Sequence, residues 1–162
     1  MSSATRSPLP RRWVRSCLIA TGIAAVAGAV LHLAIPFGGP DWYAFFGAPH
    51  GIVELARRGH PRPPITCVAI AGLLSVIAAY AFSGAGWIRR LPMLRVVLGA
   101  AGIALIARGL LFVPLILWRP DALARICDCR SIDAFILLTS ALCLAMGAGL
   151  ALGAIKPSQS DS

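Results

Sequence analysis

The sequence predicts an all-α integral membrane protein, a bundle of four membrane-spanning helices with an ordered, aromatic-rich first outer loop. Hydrophobic residues make up 58% of the 162 residues and charged residues only 13%, whereas soluble domains contain about 25% charged residues. The apolar residues fall into four runs, each close to the roughly 20 residues that cross a bilayer as a helix. Arginines lie at the ends of these runs, as is typical of membrane topology signals.

The four apolar runs define one membrane domain between two polar tails. Residues 1–16 are predicted to form a disordered basic tail and residues 156–162 a polar tail. The membrane domain covers residues 17–155, and its spans are predicted at 17–36, 65–83, 94–117 and 133–154. The short link 87–92 predicts that the second and third spans are antiparallel neighbours. Gly149 and Gly153 form a small-residue face on the fourth span, which favours close packing inside the bundle.

Basic residues set the predicted orientation. The formal net charge is +9, and all the basic residues except Lys156 are arginines. They flank apolar runs, so membrane topology explains them and nucleic acid is not predicted as a partner. With a cytoplasmic amino terminus the inner side has eight basic residues and the outer side six. Together with a composition typical of bacteria, this predicts a multi-pass protein of the bacterial inner membrane with both termini in the cytoplasm.

The connection between the first two spans, residues 37–64, is predicted to be the first outer loop. Pro40 and Asp41 begin a short helix there, because proline suits a first helical turn and aspartate its positive end. Trp42 and Tyr43 start an aromatic cluster that suits the membrane–water boundary. Glu54 precedes two arginines by three and four residues, a spacing that allows ion pairing along a helix. The loop is predicted to lie on the membrane surface or fold onto the bundle.

Arg108 is the one charged residue well inside an apolar run. It lies twelve residues past Val96, which is roughly 18 Å into the apolar run at 1.5 Å per residue. A charge at that depth is costly and usually faces protein or a wet cavity. Two interpretations stay open. Arg108 either extends outward as a structural anchor, or it is held by Asp41 or Glu54 of the first outer loop.

Cysteines and histidines provide the candidate metal ligands. Cys127 and Cys129, with His32, His50 and His60, all fall on the predicted outer side. Thiolates and imidazoles together can bind Zn²⁺ or Cu(I). However, the cysteine spacing is not that of common zinc sites, and the histidines follow no ligand motif. Chance placement therefore stays open beside a metal or thiol role.

Three segments carry a resemblance: GGPDWYAFFGAP, SGAGWIRRLPMLR and ARGL. Over roughly residues 31–111 the chain resembles a family of small, uncharacterised four-span bacterial inner-membrane proteins. The resemblance implies a four-helix architecture and draws attention to Asp41, Trp42, Arg89, Arg90 and Arg108. It implies no activity. Four-span thiol oxidoreductases differ, because they have cysteine pairs in both outer loops and the first outer loop here has no cysteine.

The function predicted from these patterns is non-enzymatic. The sequence has no phosphate-binding loop, no metalloprotease motif and no dinucleotide fingerprint, and no cofactor or substrate is assigned. The leading hypothesis is a small accessory protein that contacts the lipid bilayer and either another membrane protein or a second copy of itself. One alternative is an outer-face metal- or thiol-handling protein. Another is a bundle that binds a small ligand or a quinone, or transports a solute, through Arg108.

Overall fold

The structure, a computed structural model, describes residues 11–118 and 134–155, and every regular element within these ranges is helical. In chain order the elements are α1 (Arg11–Ala34), a 3₁₀ turn (Ile35–Gly38), α2 (Gly39–Phe45), α3 (His50–Arg57), α4 (Arg62–Gly84), α5 (Leu94–Trp118) and α6 (Ala134–Ile155). The predicted all-α fold class is confirmed.

The long helices start and end close to the predicted spans, except at the start of α1. That helix begins at Arg11, so residues 11–16, which were expected in a disordered tail, are helical. Arginine is a good helix former, and no proline lies between Arg11 and Pro36 to interrupt the helix. Residues 1–10 and 156–162, the rest of the two predicted tails, lie outside the described residues.

Among the described residues, three helical segments are long and apolar enough to cross a membrane. They are Arg12–Phe45, Arg62–Gly84 and Leu137–Ile155, with mean hydropathies of 2.2, 2.3 and 1.9 over an 18-residue window. Only 33%, 28% and 28% of these windows are buried inside the protein. Helices that stay this apolar on their exposed sides are typical of membrane spans. The structure thus supports a membrane-embedded protein.

The long helices pack as two pairs. Helix α1 packs along α4, and α5 packs along α6, in the two most extensive contacts of the described chain. The pairs meet mainly through α1 and α6, and in a core that contains Leu18, Ala25, Leu98 and Leu150. The predicted neighbours α4 and α5 also touch, but their contact is less extensive than either pair.

Close approach of backbones holds α5 against α6. A Cβ atom on Gly147 would lie 2.8 Å from the Gly102 carbonyl oxygen, and one on Gly109 would lie 2.9 Å from the Ser140 carbonyl oxygen. Such separations leave no room for a side chain, so glycine is required at these crossings. Small residues serve this purpose in membranes because apolar side chains gain little by leaving lipid.

The predicted glycine face of α6 packs inside the molecule. A Cβ atom on Gly149 would lie 2.7 Å from Thr21 Oγ1, and one on Gly153 would lie 2.8 Å from a methyl group of Leu18. Both partners belong to α1, so this face joins the two helix pairs. The prediction of intramolecular packing by these glycines is confirmed.

The link between α4 and α5 is fastened by one serine. Ser83 is buried, its hydroxyl donates to the Arg89 carbonyl oxygen at 3.0 Å, and the same oxygen accepts from the Leu91 amide at 3.0 Å. One hydroxyl therefore satisfies a carbonyl and an amide of the turn, which brings the chain back toward the start of α5.

Candidate functional site at the first connection

The first connection folds back onto the ends of α1 and α4. Its two short helices pack on each other, and the surrounding contacts join α3 and the 3₁₀ turn to α4. A small second core forms there, separate from the central one. Its buried members are Ile35, Tyr43, Val53 and Cys67. We call residues 35–61, which supply three of these four side chains, the cap segment.

Tyr43 joins the cap segment to α4. Only 5% of this residue is exposed, and its hydroxyl oxygen accepts a hydrogen bond from Cys67 Sγ at 4.0 Å. Sulfur hydrogen bonds of this kind are weak, so burial of the ring contributes more to stability than the hydroxyl contact does. Tyr43, predicted as part of an interfacial cluster, is therefore a core residue of the cap segment.

Three other aromatic rings of the cap segment face outward, whereas Phe46 packs against its core. Phe37 is 92% exposed, Phe45 78% and Trp42 45%. The rings of Trp42 and Phe46 form an edge-to-face contact with centroids 6.0 Å apart. Exposed aromatic side chains beside apolar membrane-length helices are typical of the membrane–water boundary.

A groove of about 230 Å³ lies between the cap segment and the start of α4. Tyr43 and His60 contribute its ring-bearing polar side chains, and most of the remaining lining consists of proline, glycine and alanine. Gly39 and Gly59 both line it and both have a φ of 69°. A Cβ atom on either glycine would meet nothing within 4 Å. Positive φ is a conformation that glycine adopts readily, so these two residues let the chain turn beside the groove.

His60 caps the beginning of α4. Its Nδ1 accepts a hydrogen bond from the Arg62 amide at 3.1 Å. The next two residues, Pro63 and Pro64, have no amide hydrogen, and the Ile65 amide donates to the Pro61 carbonyl oxygen. His60 thus satisfies the one amide of this first turn that lacks a backbone partner. Because Nδ1 accepts, the neutral ring has its hydrogen on Nε2, which is then a donor.

Several charged residues are close in sequence to the residues that line this groove. Glu54 pairs with Arg58, with the Arg58 Nε atom 2.9 Å from a carboxylate oxygen, and both side chains are substantially exposed. This is the ion pairing along the helix that the sequence spacing allows. Arg57 and Arg62 are exposed, and no ion pair of either is found within the described part of the chain. Asp41 is also exposed, in the first turn of α2.

Arg108 lies on α5, and no packing of α5 on the short helices of the cap segment is found among the described residues. It is exposed and follows Leu105, which packs against the central core, by three residues on α5. Within the described ranges, α5 packs on α4 and α6, whereas the acids of the first connection lie on α2 and α3 and no packing of these two helices on α5 is found there. The proposed pairing of Arg108 with Asp41 or Glu54 gains no support from this packing and stays a prediction.

The candidate metal ligands are not brought together among the described residues. His32 Nδ1 donates to the Gly28 carbonyl oxygen at 2.8 Å, His60 caps α4, and His50 is exposed at the start of α3. In the described ranges no group of three histidine, cysteine, aspartate or glutamate side chains could hold a metal ion. Cys127 and Cys129 lie outside those ranges, so the metal or thiol hypothesis stays a prediction.

Several polar residues were missed by sequence reasoning. Cys67, Thr21 and Ser83 lie within apolar runs, where their type alone does not indicate a partner. The structure gives each a neighbour on another element or in a turn. One local signal could have indicated the role of His60 as a helix cap. Pro63 and Pro64 have no amide hydrogen, so the Arg62 amide is the one donor in the first turn of α4 that needs a partner.

Comparisons of the chain with protein-family models, with curated proteins and with solved structures find no match.

Proposed function

We propose that this chain is a non-enzymatic, four-span protein of the bacterial inner membrane that acts through contacts with lipid and with other membrane helices. The observation that supports this proposal is the apolar surface left over after the helices have packed. Large hydrophobic side chains are exposed along α1 and α4, including Val30 at 61%, Ile65 at 63% and Leu73 at 62%. In water such a surface would drive aggregation, whereas lipid covers it without penalty.

The fourth span of this proposal is α5. Its 25 residues are predominantly apolar and long enough to cross a bilayer. With α1, α4, α5 and α6 each crossing once, both termini lie on one side, and the basic-residue count favours the cytoplasm. The cap segment, with its aromatic side chains, then lies at the outer boundary over one end of the bundle.

The resemblance to small four-span bacterial inner-membrane proteins stands beside this proposal as a prediction. It agrees with the proposed number of spans and adds no activity. A small bundle whose described polar groups mostly serve caps, turns and helix contacts suits an accessory role, in which the protein supports a partner or organises lipid around itself.

Fusion of a reporter that is active only in the periplasm tests the topology. Placed after Lys156, the reporter should be inactive, while the same reporter inserted after Gly47, in the cap segment, should be active. Strong activity after Lys156 would contradict the orientation. Release of the protein from membranes by alkaline carbonate would contradict membrane embedding itself.

A further inference from the structure

We propose that the groove beside His60 binds the phosphodiester headgroup of an anionic phospholipid. This inference rests on the proposed membrane embedding and adds a ligand class to it. The groove lies where the cap segment meets the first turn of α4, and that helix is long and apolar enough to span a membrane. A groove at the start of a membrane span opens at the depth of lipid headgroups.

The polar groups at the groove favour an anion that accepts hydrogen bonds. His60 lines it, and the hydrogen bond that Nδ1 accepts leaves the Nε2 hydrogen as the donor of the neutral ring. Neither Arg57 nor Arg62 lines the groove, but each is next in sequence to a residue that does, Arg57 after Ala56 and Arg62 after Pro61. Both guanidinium groups are exposed, while Arg58 is already paired with Glu54. Arginine binds phosphate oxygens through paired N–H groups.

The size and the remaining lining of the groove favour a headgroup over a larger ligand. Its volume of about 230 Å³ is below the roughly 300–1,000 Å³ of pockets that enclose drug-sized ligands. Proline and glycine form much of the lining and add no charge. The exposed Phe37 and Trp42 lie on the same cap segment and suit the acyl–headgroup boundary.

Asp41 is the charge that opposes this binding. It follows the lining residue Pro40 and is exposed. Its carboxylate should repel an anionic headgroup, so its removal should strengthen binding while removal of the arginines weakens it. These opposite effects distinguish a specific site from a general loss of folding, because a folding defect cannot improve binding.

Native mass spectrometry of the full chain in detergent provides the test, with phosphatidylglycerol as the anionic lipid and phosphatidylcholine as its zwitterionic control. Arg57→Gln/Arg62→Gln should bind phosphatidylglycerol at least about tenfold more weakly than the unmodified chain, through loss of charge-assisted hydrogen bonds. Asp41→Asn should bind it more tightly. Phosphatidylcholine binding should change little in either variant.

The matched control is Arg12→Gln/Arg15→Gln, which removes the same charge from exposed positions near the start of α1. Its phosphatidylglycerol affinity should change by less than about threefold if the groove is a specific site. A loss equal to that of the groove variant would mean that net charge alone attracts the lipid, and would overturn the proposal. So would unchanged binding in the groove variant or weaker binding by Asp41→Asn.

Competition with inorganic phosphate distinguishes a lipid headgroup from a free phosphate ion as the ligand of the groove. Inorganic phosphate in excess over the lipid should not displace bound phosphatidylglycerol, since the lipid also contacts the protein through its acyl chains. Displacement would assign the groove to a free anion and overturn the lipid assignment. A groove variant that stays in membranes through alkaline carbonate yet retains the lipid would contradict this inference alone, whereas release of the unmodified chain would contradict the proposed function.

Discussion

At the scale of single residues, the polar side chains of this protein mostly find local partners. Glu54 pairs with an arginine one helical turn away, and His60 caps the helix that begins two residues later. Tyr43 differs from them, because its hydroxyl accepts a hydrogen bond from Cys67, which is 24 residues away on α4. Local pairs contribute little stability, so the energetic weight of the cap segment lies in the burial of Tyr43.

Glu54→Ala should change the free energy of unfolding by only about 0.3–0.5 kcal/mol, because exposed pairs four residues apart on a helix contribute that much. Reversible unfolding in detergent measures this change in free energy. Arg58→Ala, which removes the other member of the pair, is the matched control. If Glu54 instead held Arg108 in a desolvated pair, its removal would cost about 3–5 kcal/mol. A loss of that size would support the hypothesis that Glu54 pairs with Arg108.

Tyr43→Ala should destabilise the protein by about 3 kcal/mol or more, because it empties the small core between the cap segment and α4. Phe45→Ala is the control, since Phe45 is two residues away and 78% exposed. It should cost less than about 1 kcal/mol in detergent. Tyr43→Phe isolates the hydroxyl contact and should also cost less than about 1 kcal/mol. Equal losses for Tyr43→Ala and Phe45→Ala would contradict the assigned burial.

At the scale of elements, glycine and serine determine how the helices meet. The pair α5–α6 depends on glycines that let backbones touch, and the turn between α4 and α5 depends on the two hydrogen bonds of Ser83. Neither device relies on hydrophobic burial. This is expected in a membrane, where association of helices comes from packing and hydrogen bonds.

Gly147→Ala should destabilise the α5–α6 pair by about 1–3 kcal/mol, because the added methyl group has no space beside the Gly102 carbonyl oxygen. Gly72→Ala in α4 is the control, since a Cβ atom there meets nothing within 4 Å. Thermal unfolding in detergent should show a lower midpoint for Gly147→Ala and no loss for Gly72→Ala. Unchanged stability of Gly147→Ala would argue against the close crossing.

Ser83→Ala should cost about 1 kcal/mol or more, because two hydrogen bonds of the turn after α4 lose their shared partner. Ser75→Ala is the matched control on the same helix, since the Ser75 hydroxyl donates only to the Ala71 carbonyl oxygen of its own helix. That change should cost clearly less than Ser83→Ala does. Thermal unfolding of both variants measures the difference, and equal costs would remove the assigned role of Ser83.

At the scale of the whole molecule, two helix pairs join along α1 and α6, and the cap segment covers one end of the α1–α4 pair. The exposed apolar surface of these helices suits lipid. In the proposed topology His50 of the cap segment and Ile88 of the link lie on opposite sides of the membrane. Both are exposed, so each is a suitable position for a reporter cysteine.

A membrane-impermeant thiol reagent should label His50→Cys in intact spheroplasts and label Ile88→Cys only after lysis. Both variants are made with Cys127 and Cys129 changed to serine, so that these two cysteines cannot react with the reagent. Cys17, Cys67 and Cys143 are kept because they lie within long helices. The two positions should differ because His50 precedes α4 and Ile88 follows it, so that one crossing of the membrane by α4 places them on opposite sides. Labelling of both positions before lysis would contradict that α4 spans the membrane in this orientation.

The length and apolar character of the runs are properties of local sequence, and so the all-α class and the bounds of α4, α5 and α6 could be predicted closely. Helix ends follow from proline, glycine and caps, which also act locally. The sequence likewise indicated the short helices of the cap segment and the Glu54–Arg58 pair, because both depend on residues within one or two turns of each other.

The pairing of helices was decided by tertiary structure alone. The long helices are apolar on every side, so no polar–apolar periodicity marks which face packs against the other helices. The burial of Tyr43 against Cys67 and the contact of Gly147 with Gly102 depend on shape complementarity between residues distant in sequence. For the same reason the groove beside His60 was not predicted, since its lining comes from the 3₁₀ turn, α2, α3 and the start of α4 and exists only once these elements have folded together.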